Sequence, residues 1–105
     1  NVVCIEKGVK LRYDVKYQAR LINTEEFFIT DAQSLYGFVA GVLAGNHDVT
    51  DLYVDGSLRI CNGDVDSFEK CAHHLDELAD RYKMNITLTV SLDAEELPEA
   101  LKKYI

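Results

Sequence analysis

The sequence predicts an α+β domain, a two-layer sandwich in which two helices cover one face of a mainly antiparallel sheet. Three observations predict it. Residues 9–21 and 86–92 alternate apolar and polar side chains, residues 65–83 place apolar side chains at helical spacing, and Asp55-Gly56 stands between two short apolar runs as a tight-turn signal. The resulting order is βαββαβ, ferredoxin-like, with an added N-terminal strand and a short C-terminal helix. One domain over residues 1–105 is expected, because 105 residues bury a single core without metals or disulfides.

At the start, Val2 to Ile5 read as a short strand, turned by Glu6-Lys7-Gly8. Val9, Leu11, Tyr13, Val15, Tyr17, Ala19 and Leu21 then alternate with Lys10, Arg12, Asp14, Lys16, Gln18 and Arg20, the period of a half-buried strand. Such a strand is long, so a bend or bulge is expected near Asp14. Asn23 to Glu26 predict a turn, and Phe27 to Thr30 a short strand or an extended lead-in.

A helix is expected over 31–45, with Thr30 as its cap and Gln33 closing the capping box. Gly45-Asn46 ends it. Thr50 to Val54 and Ser57 to Cys61 flank Asp55-Gly56 as a hairpin. A second helix covers 65–83 and stops before Asn85. Ile86, Leu88, Val90 and Leu92 then face the core, while Thr87, Thr89 and Ser91 face water. Asp93 and Glu96 give a final cap signal, and Pro98 limits the remaining residues to a turn and a short helix.

The two helices differ in pattern. In the second, Phe68, Cys71, Ala72, Leu75, Leu78, Ala79 and Tyr82 occupy an arc of roughly 120°, the width expected of a helix lying on a sheet. Asp66, Glu69, Lys70, His73, Asp76, Glu77, Asp80 and Arg81 lie opposite. The first helix carries no charge after Asp31, and Gly37, Ala40, Gly41 and Ala44 fill much of the arc that its large apolar residues leave. Each interior glycine costs about 1 kcal/mol relative to alanine, so a close contact is expected to offset Gly37 and Gly41. That contact comes from another part of the chain, from a second copy in a symmetric dimer, or from a different partner.

Charge is unevenly placed. The net charge of −7 arises wholly in residues 46–80, where nine acids face Arg59 and Lys70. That acidity opposes binding to a phosphate backbone and suits a basic protein partner. Lys10, Arg12, Lys16 and Arg20 form a basic stripe on the long strand, which the protection of an exposed strand explains without a ligand. No apolar run reaches the roughly 20 residues that span a bilayer, and the first ten lack the pattern of a signal peptide. Cytoplasmic residence is therefore expected, and the Asn85-Ile86-Thr87 sequon is read as accidental.

Chemistry-bearing motifs are sparse. Cys4, Cys61 and Cys71 form no CxxC pair and are expected as reduced core residues. No GxSxG signature occurs, and Gly37, Gly41 and Gly45 lie inside a helix rather than in a phosphate-binding loop. His73 and Glu77 are four apart on one face, yet zinc needs further ligands at a recognisable spacing. Asp64 and Asp66 resemble a fragment of a calcium loop and are better explained as cap and first-turn groups.

The sequence thus points to a non-catalytic acidic interaction module without metal or cofactor, an inhibitor or adaptor, homodimeric through Gly37, Ala40, Gly41 and Ala44. Its partner face is Glu69, His73, Asp76, Glu77 and Asp80. The alternative is a small-ligand-sensing regulatory domain of ferredoxin-like type, with an effector between paired copies.

Overall fold

The structure is a computed structural model that describes residues 1–8 and 20–104. Four strands form one sheet: β1 (Val2–Glu6), β2 (Arg20–Asn23), β3 (Asp51–Val54) and β4 (Asn85–Leu88), in the order β2-β1-β3-β4. Every pairing is parallel, with Ile5 opposite both Ile22 and Val54, and Val54 opposite Leu88. The expected antiparallel, ferredoxin-like sheet is therefore incorrect.

One error lies at Glu6-Lys7-Gly8, read as a turn into the next strand although β1 and β2 pair in parallel, and the other lies at Asp55-Gly56. A two-residue hairpin would send the chain back along β3, but Gly56 takes a left-handed conformation (φ +67°) and begins the short helix α2 (Ser57–Ile60). Ser57, Ile60 and Cys61 are buried while Arg59 is exposed, which is the spacing of a helical turn rather than a strand. With that strand gone, helices separate β2 from β3 and β3 from β4. Strands that alternate with helices pair in parallel, because the crossover returns the chain to the same end of the sheet.

Helix α1 (Ala32–Gly45) joins β2 to β3, and α3 (Val65–Tyr82) joins β3 to β4. Both connections move the same way across the sheet, so right-handed crossovers put both helices on one face. Leu35, Val39 and Leu43 of α1 and Phe68, Cys71, Leu75 and Leu78 of α3 meet Val3, Ile5, Leu52 and Val54 in a single core. The Tyr36 ring contacts His74 edge-on, with centroids 5.4 Å apart, and ties the helices together above the sheet.

Helix ends follow local chemistry, with one shift from expectation. Asp31, not Thr30, caps α1: its carboxylate accepts from the Ser34 amide at 2.8 Å, and the Ser34 hydroxyl accepts from the Asp31 amide at 3.1 Å. The Ser34 amide and hydroxyl, both donating to Asp31 Oδ1, hold that carboxyl below its usual range. Asp64 caps α3 by accepting from the Asp66 and Ser67 amides and the Ser67 hydroxyl, and its bonds with Ser67 lower its pKa too. Lys83 adopts the left-handed conformation that ends α3.

Other expectations need adjustment. The long strand over 9–21 lies outside the described residues except for Arg20 and Leu21, which belong to β2 and pair in parallel with β1. Phe27 and Phe28 form part of a turn rather than a strand, and Phe28, with φ of 57°, is 81% exposed. Tyr82 is exposed rather than buried. Beyond β4 the expected terminal helix is two short 3-10 segments, Ala94–Glu96 and Glu99–Tyr104.

Candidate functional site

The acidic face of α3 stands where the helical period puts it. Asp76, Glu77 and Asp80 are exposed, while Glu69 and His73 are half-buried with His73 Nε2 3.8 Å from Glu69 Oε2. These five residues share a helix but not a single function. Asp76 is drawn toward the C-terminal turn, where its Oδ2 accepts the Tyr104 hydroxyl at 2.7 Å. That bond, with burial and the negative charges of Asp76 and Asp80, pushes the Tyr104 pKa up, because the phenolate would forfeit its donated proton beside two carboxylates.

Tertiary structure extends this face in a way that the sequence does not reveal. Asp51 enters from β3 and joins Asp76 and Asp80 around a hollow that also includes Lys83, Asn85, Ile86 and Thr87. Three carboxylates thus stand against one ammonium. Asn85 Nδ2 donates to Asp51 Oδ1 at 3.2 Å, which fixes that carboxylate beside the start of β4.

Adjoining the hollow, an apolar slot of about 530 Å³ runs between α3, β4 and the two 3-10 segments. Its walls include Ala72 and Leu75 from α3, Ile86 and Leu88 from β4, and Leu97 and Leu101 from the C-terminal segment. Thr87 lines it as well. Since neighbouring strand residues point to opposite faces, a slot touched by Ile86, Thr87 and Leu88 in succession lies along the strand's edge.

The small-residue face of α1 is open. Gly37, Gly41 and Ala44 are exposed and Ala40 is half-buried; a methyl group built on Gly37 or Gly41 would meet nothing within 4 Å. No described part of the chain covers it. Packing inside the monomer therefore does not explain those glycines among the described residues.

A further group of polar residues gathers at the carboxyl ends of β1 and β3. Glu6 is fully buried at the end of β1, and Asp55 follows β3 on the neighbouring strand. Burial, then the charges of Glu6 and Asp55, raises the pKa of the Cys4 thiol, two residues before Glu6 on β1. Thr89 ties this region to β4: its hydroxyl donates to Asp55 Oδ1 at 2.9 Å and accepts from the Gly56 amide at 2.8 Å. Its carbonyl accepts both the amide and hydroxyl of Ser57.

Sequence reasoning missed this junction because its parts come from three strand ends far apart in the chain. Among the described residues, no group of three or more His, Cys, Asp or Glu side chains is arranged to hold a metal ion. Likewise, no described helix is long and apolar enough to cross a membrane. Cys61 and Cys71 are buried free thiols, and the Cys61 contact together with burial pushes the Cys71 thiol up. The chain matches no protein-family model, and no curated protein matches its sequence.

Proposed function

We propose that this chain is a non-catalytic, cytoplasmic interaction module, an adaptor or inhibitor, whose acidic α3 face receives a basic protein partner. The supporting observation is the convergence of Asp51 with Asp76 and Asp80 around one hollow, beside exposed Glu77. Carboxylates grouped on one surface raise the local concentration of a cationic partner and speed its docking, more than they add to final affinity. The net charge of −7 gives no support to a nucleic-acid partner. Self-association through Gly37, Ala40, Gly41 and Ala44 belongs to the same proposal, since among the described residues nothing stands within 4 Å of a methyl group built on Gly37 or Gly41.

The decisive comparison uses Glu77→Lys/Asp80→Lys rather than a change that includes Asp76, whose carboxylate also holds Tyr104. Parent and variant are immobilised, exposed to host lysate at low salt, and eluted by a salt gradient. Basic proteins kept by the parent and lost by the variant are expected. Equal retention on both would remove the reading.

A second reading, a small-ligand-sensing domain, draws on the slot of about 530 Å³, a volume typical of ligand sites. Native mass spectrometry of gently purified protein tests it. A bound small molecule of constant mass would favour it over the acidic-face reading.

A further inference from the structure

Among the described residues, strand β4 forms one border of the sheet, and its sequence is unusual for a border. From Asn85 to Leu92 the chain reads NITLTVSL, with neither a charged residue nor a proline. Border strands normally carry such residues, because their unpaired amides and carbonyls recruit other strands. Here neither is present, and only the length of β4, four residues, limits such pairing.

The backbone groups of that border can be assigned. Asn85 and Thr89 donate their amides to Thr50 and Val54, each at 2.9 Å, so the alternation of a parallel strand turns Ile86 and Leu88 outward. No backbone hydrogen bond reaches this border among the described residues. The apolar slot runs along it, and the hollow of Asp51, Asp76 and Asp80 opens at its Asn85 end.

We infer that the free border of β4 accepts an extended basic peptide from a partner protein as an added strand, with apolar side chains in the slot and a cationic end over Asp51, Asp76 and Asp80. This rests on the interaction-module reading and names its partner class. Main-chain hydrogen bonds to Ile86 and Leu88 supply affinity that does not depend on sequence. Alternate side chains enter the slot, and the carboxylate hollow selects Lys or Arg at one end. A neutral apolar peptide would leave that selection unused, and an acidic one would be repelled.

The test is fluorescence anisotropy of the full chain with a labelled KKVTVTV peptide, amidated at its C-terminus. Two further peptides carry N-methyl groups on alternate valine and threonine amides, one set on each side of the strand. One N-methylated peptide is expected to bind at least tenfold more weakly and the other as the parent, because only one side of an added strand faces β4. Leu88→Pro, which removes an outward amide at a position where a border strand tolerates proline, should also weaken binding at least tenfold. Leu88→Val, which keeps the amide, should not.

Equal binding of both N-methylated peptides would overturn the inference, because the slot would then hold apolar groups without strand pairing. So would no binding at all, or light scattering that shows two copies joined through β4 and indifferent to peptide. Weakening by Glu77→Lys/Asp80→Lys without sensitivity to N-methylation would sink strand addition and leave the acidic-face reading standing. Strand dependence with equal binding of an EEVTVTV peptide would overturn both.

Discussion

The Tyr104 hydroxyl donates to Asp76 Oδ2 at 2.7 Å and so joins the last turn of the described chain to the outer face of α3, 28 residues earlier. The same carboxylate borders both the slot and the acidic hollow. A residue read from the sequence as a solvated partner contact therefore also has an internal bond.

Tyr104→Phe should loosen the C-terminal 3-10 segments and speed amide exchange around Leu101, while amides of β1 and β3 keep their protection. The pH dependence carries a definite sign. Tyr104 has a raised pKa when folded, so its contribution is present below the ordinary tyrosine pKa of about 10 and disappears as pH rises through the folded value. Melting curves of parent and variant should differ at neutral pH and converge in strong alkali. A constant difference across that range would refute the assignment.

Acid titration should act oppositely at the helix caps. Asp31 and Asp64 have lowered pKa values when folded, so their contributions exist above the ordinary aspartate value and disappear as pH falls through the folded one. Asp64→Ala should lower Tm at neutral pH by several degrees, since α3 loses the acceptor for its first amides. The difference should shrink as pH falls below the ordinary aspartate value of about 3.9.

Thr89→Val deletes the donor to Asp55 and the side-chain acceptor for the Gly56 amide while preserving shape. A loss of about 1–2 kcal/mol in urea unfolding is expected. By comparison, Leu75→Ala opens a cavity in the core and should cost about 2–5 kcal/mol. A smaller loss for Leu75→Ala than for Thr89→Val would show that the core is misplaced.

Gly41→Leu provides the test of self-association. A methyl group at this position meets nothing within 4 Å among the described residues, and leucine improves helix propensity by nearly 1 kcal/mol. Light scattering is expected to show a dimer for the parent and a monomer for the variant. A monomeric parent at high concentration ends the dimer proposal.

Melting in EDTA or in dithiothreitol should match melting in buffer. Cys61 and Cys71 are free thiols inside the core, and the described residues form no metal-binding group. A loss of several degrees with either reagent would reveal a structural site.

Local chemistry was legible in the sequence wherever one helix contained the whole signal. The apolar period of α3 identified Phe68, Cys71, Leu75 and Leu78 as core and Asp76, Glu77 and Asp80 as exposed. The extent of α1 was close, and its cap moved by one residue because Asp31 and Ser34 outcompete Thr30 and Gln33. The alternation of Ile86 and Leu88 with Thr87 was also correct in direction. The acidic face could be read, but Asp51 could not be added to it from a strand 25 residues before Asp76.

By itself, the sequence determined the two main helices, their buried sides, and an excess of negative charge between residues 46 and 80. Tertiary structure decided the direction of the strands. Asp55-Gly56 suits a hairpin and also a left-handed entry into a helix, and local propensity separates those outcomes by little. Burial of Ser57, Ile60 and Cys61, with Thr89 binding Asp55, Gly56 and Ser57, favours the helical entry. These contacts join positions more than 30 residues apart, so no local pattern encodes them, and they make β4 a parallel border strand beside an acidic hollow.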